Sequence, residues 1–255
     1  MAPQTARRSM HRIGAATIAF VLLASVGGGP FHLGAASAAN LAIPAAPVAA
    51  PDLSTWKGGV NVYRSSGFVT QRTMAMCIAA STQMMVNFVK HRSDRSATKQ
   101  RRIMAYARAH DYMRNATSDG SDPQGWAAAL RRFGAGSTYA ARTYPSFTAA
   151  IKDAARRMRT SGKPVGLLVG SKGGNHAWVM TGFTATKDPA ITSDFRVTSV
   201  SVAGPMWPKQ VRYKGLYDMA PNTRLSVSTL SRAFLRYNQR DGARKYVGKW
   251  VIVAP

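Results

Sequence analysis

One cysteine in this sequence has surroundings that could support nucleophilic chemistry. Cys77 is the single cysteine of the 255 residues, and it lies close to the start of a predicted helix. Unpaired N–H groups and the partial positive charge at a helix N-terminus lower a thiol pKa and favour the thiolate. A lone thiol is either such a nucleophile or a small apolar residue of the core, and composition alone leaves both interpretations open.

A potential hydrogen-bond donor precedes this cysteine. Gln71 stands six residues before Cys77, and its side-chain amide can donate hydrogen bonds. A nucleophile flanked by such a donor is the arrangement that an acyl-transfer oxyanion hole requires. The spacing is common in proteins, so Gln71 gains weight only in combination with other residues.

One of the five histidines differs in its surroundings from the others. His176 follows the glycine loop Gly173-Gly174-Asn175 and opens the apolar run 177–183. A histidine at the mouth of a strand can be aimed at a helix N-terminus across a cleft. The alternative is a structural histidine that only forms hydrogen bonds. His11 and His32 precede the fold, and His91 and His110 lie among polar residues at the ends of predicted helices.

The hydrophobic pattern predicts the elements that would position these residues. Helical periodicity predicts helices over residues 74–90, 97–110, 122–134, 146–160 and 225–237. Short β-rich runs predict strands over residues 139–143, 165–169, 177–183, 195–202 and 246–253. Turn-forming residues mark a loop at 115–122. Helices early in the chain and strands late in it indicate an α+β fold rather than a doubly wound sheet.

The order of three short motifs resembles a known family. Gln71 with Cys77-Ile78-Ala79-Ala80 is followed by Gly162-Lys163-Pro164-Val165, and then by His176-Ala177-Trp178-Val179-Met180-Thr181-Gly182-Phe183. This order resembles the C39-like branch of the papain-like cysteine peptidases, over residues 60–255.

The resemblance implies a fold and a set of roles. The fold would be papain-like, with a helical N-terminal half packed against a mostly antiparallel C-terminal sheet. Cys77 would be the nucleophile and His176 the general base, while Gln71 and the Cys77 backbone N–H would bind the oxyanion. The substrate would be a peptide or protein.

One position departs from the family pattern. Relatives place an Asp or Asn that orients the histidine where this chain has Gly204, which has no side chain for that task. Three explanations remain open: a neighbour such as Asp194 or Asn175 substitutes, the site works as a dyad, or activity is lost. Loss of the orienting acid costs a triad several orders of magnitude in rate.

The charge of the chain is strongly unbalanced. There are 35 Lys and Arg against 10 acidic residues, all of them Asp, and the net charge is +25. Such a field favours contact with polyanions, so an anionic cell-wall polymer is a candidate partner. The basic residues are spread along the chain, which disfavours specific nucleic-acid recognition. A nucleic-acid-binding or membrane-active basic protein is the weakest hypothesis, because charge alone supports it.

The first residues have the features of an export signal. Three arginines, an apolar run and the Ala36-Ser37-Ala38 sequence predict a signal peptide over 1–39. The apolar run is short for a membrane span, although an uncleaved anchor is the alternative. Arg7-Arg8 leaves the Sec and twin-arginine routes open. An Ala- and Pro-rich linker follows at 40–58, and one domain at 59–255.

These features lead to two main hypotheses. The first is a secreted, monomeric thiol hydrolase that cleaves peptide or amide bonds without a cofactor or a metal, since no metal-ligand cluster is visible. The second is a catalytically impaired module of the same fold that binds an anionic cell-wall or extracellular polymer. A single exported thiol favours the first, and Gly204 favours the second.

Overall fold

A computed structural model describes residues 56–112, 120–171, 174–209, 212–213, 216–238 and 244–255. All of them belong to one compact unit, 48–255. The predicted signal peptide, most of the predicted linker and most of the predicted loop 115–122 lie outside the described residues.

The fold is α+β. The helices are α1 (Cys77–Lys90), α2 (Ala97–Ala109), α3 (Pro123–Phe133), α4 (Phe147–Ser161) and α5 (Val227–Ser231). The strands are β1 (Gly59–Asn61), β2 (Ala140–Tyr144), β3 (Val165–Ser171), β4 (Gly174–Ala185), β5 (Val197–Ala203), β6 (Arg212–Tyr213), β7 (Leu216–Tyr217), β8 (Thr223–Ser226) and β9 (Trp250–Ala254).

Seven of these strands form one sheet around β4. The strand order is β2-β9-β3-β4-β5-β8, and β1 pairs with the far end of β4. Every strand pairing among the described residues is antiparallel. Strands β6 and β7 form a separate two-stranded hairpin. The strand β4 is the longest, and His176 is its third residue.

Both faces of the sheet are covered by helices. Leu168 and Val253 pack in one core cluster with residues of α1, α2 and α3. Their chain neighbours Leu167 and Ile252 pack in a second cluster with residues of α4 and α5. This alternation follows from the two-residue period of a strand. The N-terminal half of the domain also contributes two strands to the sheet, β1 and β2.

Local sequence signals set the ends of α3 and α4. Asp122 caps α3 by accepting hydrogen bonds from the backbone N–H groups of Gln124 and Gly125 at 2.7 and 3.0 Å. Gly134 ends α3 in the left-handed conformation. In α4, Ser146 caps the helix by accepting a bond from the Ala149 backbone N–H. The predicted helices at 97–110, 122–134 and 146–160 are confirmed to within one or two residues.

The predicted helix over 225–237 is only partly confirmed, since the helix covers Val227–Ser231 alone. Leu225 belongs to β8 and pairs with Val200, and α5 ends at Ser231. The backbone N–H groups of Ala233 and Phe234 still bond to the Leu230 carbonyl. Further bonds go to distant segments: the Ala233 carbonyl accepts from the Gly170 backbone at 3.0 Å, and the Tyr237 backbone N–H donates to the Lys249 carbonyl at 2.8 Å. Tertiary hydrogen bonds thus replace the helical ones that the apolar pattern predicts.

Candidate active site

The cysteine lies at the first residue of α1. A short 3-10 turn, Met74–Met76, leads directly into the helix. Cys77 is only partly buried, whereas the next residues of the helix are in the core. The cysteine is therefore at the less buried end of a rigid element.

A buried hydrogen bond fixes α1 against β4. Ser81, one helical turn after Cys77, donates its hydroxyl to the carbonyl of Ala177 at 3.1 Å, and Ser81 is fully buried. Ala177 is the residue that follows His176 in β4. This bond holds the start of α1 next to the histidine, and the Cys77 thiol is hydrogen bonded to His176.

The histidine is held inside the sheet. His176 pairs with Val169 of β3, and only 2% of its surface is exposed. Its Nε2 atom lies 3.0 Å from Oδ2 of Asp218. Because Nε2 is bonded to this carboxylate, Nδ1 is the ring nitrogen that remains for the thiol.

Asp218 is buried and accepts three hydrogen bonds. Besides His176, its donors are the indole Nε1 of Trp178 at 2.5 Å and the backbone N–H of Met206 at 2.6 Å. Trp178 stands two residues after His176 on β4, so both side chains lie on the same face of the strand. The β6–β7 hairpin ends at Tyr217, immediately before this aspartate. The carboxylate is thus fixed from three sides.

Gly204 lies directly beside this carboxylate. A Cβ atom on residue 204 would lie 2.3 Å from the carboxyl carbon of Asp218 and 2.5 and 2.7 Å from its oxygens. The absence of a side chain at 204 therefore makes room for a carboxylate that comes from a later part of the chain. The carboxylate that bonds to His176 therefore comes from Asp218 and not from residue 204.

Neither residue considered as a substitute from the sequence contacts the histidine. Asp194 is exposed and forms an ion pair with Lys187. The side-chain oxygen and nitrogen of Asn175 are buried and have no hydrogen-bond partner among the described residues. The sequence did not reveal Asp218 as a partner of His176, because a loop of unpredicted length separates it from the strand β5. A signal was present, since it is an isolated acid in the apolar run Leu216-Tyr217-Asp218-Met219.

The thiol and the imidazole shift each other's protonation in opposite directions. Burial raises the pKa of Cys77, but the hydrogen bond and charge of His176 outweigh it, together with backbone hydrogen bonds from Ala177 and Ile78, so the thiol pKa falls below its ordinary value. Burial lowers the pKa of His176, but hydrogen bonds to Asp218 and Cys77 and the charges of both raise it to about 9. Both shifts favour a thiolate beside an imidazolium.

Gln71 lies at the base of the turn before Cys77. It is 2% exposed, and its amide nitrogen donates to the carbonyls of Thr73 and Met74 at 2.8 and 3.1 Å. Its backbone N–H donates to Pro205 at 2.7 Å. The side chain is thus beside the turn that carries the cysteine, but an oxyanion role requires one amide hydrogen to exchange its present carbonyl for the substrate.

Two other features are absent from the part of the chain that the structure describes. No group of three or more His, Cys, Asp or Glu side chains there could hold a metal ion. No helix within those same ranges is long and apolar enough to cross a membrane.

Comparison with known proteins adds no assignment. No protein-family model matches the chain, and no curated protein matches its sequence. The site must therefore be interpreted from its own geometry.

Proposed function

We propose that this chain is an exported cysteine peptidase of the C39-like, papain-like type, or a related thiol amidohydrolase. The observation that supports it best is the hydrogen-bonded series Cys77–His176–Asp218, with a partly buried cysteine at one end and a buried carboxylate at the other. A purely structural histidine needs no thiol partner, and a purely structural thiol needs no imidazolium.

The geometry suits acyl transfer in two steps. The Cys77 thiolate attacks the carbonyl carbon of an amide, and the resulting oxyanion forms at the N-terminus of α1. The imidazolium of His176 gives its proton to the amide nitrogen, the C–N bond breaks, and a thioester to Cys77 remains. Water then attacks the thioester while His176 accepts its proton, which releases a carboxylic acid and the thiolate.

Asp218 has a positioning role in this scheme. It accepts the Nε2–H of His176, which leaves Nδ1 facing the thiol, and its negative charge stabilises the imidazolium. The hydrogen bonds from Trp178 and Met206 keep the carboxylate in that place.

The alternative hypothesis of a catalytically impaired binding module rested on Gly204. A carboxylate occupies the space beside Gly204 and bonds to His176. The glycine at 204 therefore does not leave the histidine without an acidic partner, and it no longer favours the binding module. The positive charge of the chain is compatible with either function, so it does not favour the binding module over the hydrolase.

Alkylation of the purified protein by iodoacetamide across pH tests this proposal. Because Cys77 is the only thiol, the label reports this site alone. We expect rapid alkylation at pH 5–6, and we expect His176→Ala to move the onset toward about pH 8.5, the range of an ordinary thiol. Onset near pH 8.5 in the unmodified protein would contradict the proposal.

Hydrolysis of an unfolded protein such as casein tests the chemistry beyond the thiolate. We expect Cys77→Ser and His176→Ala to abolish it. If Gln71 binds the oxyanion, Gln71→Ala lowers hydrolysis by about 10²-fold. The same variant leaves the alkylation rate unchanged, because alkylation passes through no oxyanion. Equal losses in both assays would instead assign Gln71 a structural role.

A further inference from the structure

A basic pocket adjoins the proposed active site. It has a volume of about 430 Å³, and Gln71 forms part of its wall together with Phe68, Arg72, Arg95 and Lys209. Phe68 and Val69 are its apolar wall residues, and three of the other five wall residues are cationic.

These three cations have no acidic partner in the described part of the chain. The four ion pairs found there involve Arg157, Arg159, His176 and Lys187 as the cations. The Arg72 guanidinium donates to the Arg95 carbonyl at 3.0 Å, and Arg95 donates to Ser66 at 3.2 Å. These bonds fix the two guanidinium groups but leave their positive charge uncompensated.

The pocket is tied to the site on two sides. The Gln71 amide contacts the turn that leads into Cys77. Its backbone N–H bonds to Pro205, and Thr70 bonds to the Trp207 carbonyl at 2.8 Å. The segment that contains Pro205 also holds Asp218 through the Met206 backbone. The pocket therefore shares one wall residue, Gln71, with the proposed active site.

From this arrangement we infer that the pocket binds a carboxylate of the substrate, so that the site prefers acidic peptides or amides. Arg and Lys side chains without acidic partners are suited to a carboxylate, and guanidinium groups can bind it through two hydrogen bonds. The anionic groups of an unmodified peptide are carboxylates. This inference rests on the proposed function, because it concerns the substrate of the same site.

Two alkylating agents that differ in charge test the inference. Iodoacetate carries a carboxylate where iodoacetamide carries a neutral amide. We would measure the alkylation rate constant of Cys77 with each reagent at pH 6.5 and 0.15 M salt. The ratio of the iodoacetate rate constant to the iodoacetamide rate constant is then divided by the same ratio measured for N-acetylcysteine amide. We expect a normalised ratio of about ten, because a carboxylate is held near the sulfur.

Variants of the pocket separate a local effect from the overall charge. Lys209→Gln removes a side chain with no internal hydrogen bond among the described residues, and should lower the ratio about threefold, as expected for one exposed ion pair. Arg72→Gln combined with Lys209→Gln should bring it close to one, whereas Arg72→Lys should largely retain it. The matched control is Arg132→Gln with Arg196→Gln, which removes two exposed charges outside the pocket.

The outcomes are distinguishable. A ratio near one in the unmodified protein, or an equal loss in the control, overturns the carboxylate pocket while rapid low-pH alkylation still supports the proposed function. If neither reagent reacts at pH 6.5, the proposed function fails and the pocket inference fails with it. A ratio that falls only with the pocket variants supports both.

Discussion

The Gly204 Cα and the Asp218 carboxyl group share a space that has no room for a further carbon atom. A Cβ on residue 204 would approach the three carboxyl atoms to between 2.3 and 2.7 Å. The same carboxylate holds His176 at 3.0 Å. The identity of residue 204 and the geometry of the candidate catalytic histidine are therefore linked through Asp218, although neither Gly204 nor Asp218 touches the sulfur.

Gly204→Ala should disrupt this link. The added methyl group must displace a carboxylate that is fixed by three hydrogen bonds. Overpacking of this kind costs about 1–3 kcal/mol, measured as the free energy of unfolding in urea. We also expect slower alkylation of Cys77 at pH 6, because His176 loses its partner.

Two comparisons test the cause of that effect. Gly170→Ala is a matched control, since its Cβ would meet its nearest neighbour, Leu235, at an ordinary 3.4 Å. Gly204→Asp combined with Asp218→Gly moves the carboxylate to the family position. The double variant should recover part of the low-pH alkylation that Asp218→Gly loses. No recovery would mean that Asp218 acts through more than its carboxylate.

Asp218→Asn keeps the shape of the side chain but removes its charge. The pKa of His176, raised to about 9 by its partners, should fall, and the pKa of Cys77 should rise because its imidazolium partner is lost. The alkylation profile should shift to higher pH, with equal rates near pH 10. Amide hydrolysis should fall by about 10²–10⁴-fold. An unshifted profile would contradict the positioning role.

Local signals in the sequence predicted much of the fold. The helices predicted to start at Asp122 and Ser146 are present, because both side chains cap the first turn and capping depends only on residues within one turn. Local signals could not show that the helix predicted over 225–237 covers only Val227–Ser231. Its backbone bonds to β3 and to residues next to β9, which are distant in sequence, so its own apolar pattern carries no information about them.

The same distinction applies to the site. Cys77 and His176 each lie at the start of an element with a strong local pattern, and the structure brings them together. Asp218 is brought to them by a hairpin of two-residue strands, which is too short for a periodic pattern to reveal. The sequence shows that Gly204 has no side chain, but only the packing shows which residue fills the space.

Folding stability should depend on pH through His176 once the thiol is removed. In Cys77→Ala the histidine keeps its bond to Asp218, so its pKa in the folded protein stays above the ordinary 6.5. A raised pKa contributes stability that is fully present below pH 6.5 and is lost as the pH rises through the folded value. The free energy of unfolding should therefore fall as the pH rises above 6.5, by at most about 1.4 kcal/mol per pH unit.

The unmodified protein should show a flatter profile over the same range. The lowered pKa of Cys77 contributes stability in the opposite sense, present at high pH and lost as the pH falls. The two contributions partly cancel while both groups are present. Cys77→Ala with His176→Ala serves as the control and should lose the slope. Urea titrations of the three proteins at pH 6.5 and 8.5 measure the difference, and parallel profiles would contradict the coupling.

The buried ion pair Arg159–Asp188 should be a major contributor to stability away from the site. The guanidinium of Arg159 contacts both carboxylate oxygens at 2.9–3.2 Å, and both side chains are less than a tenth exposed. The hydrogen bonds from Arg159 lower the pKa of Asp188 despite burial. This contribution is therefore present above pH 4 and is lost as the pH falls through the folded value. Asp188→Asn removes the carboxylate charge that pairs with the buried Arg159 guanidinium and should cost about 3–5 kcal/mol.

The adjacent residue provides a matched comparison for this pair. Lys187 pairs with Asp194 at the surface, where the two side chains are 57% and 86% exposed. Lys187→Gln should leave the urea midpoint and the acid-unfolding midpoint unchanged, because solvent and salt screen an exposed pair. Asp188→Asn should lower the urea midpoint and flatten the acid limb between pH 4 and 2. Similar losses from Lys187→Gln and Asp188→Asn would show that burial is not what makes the Arg159 pair important.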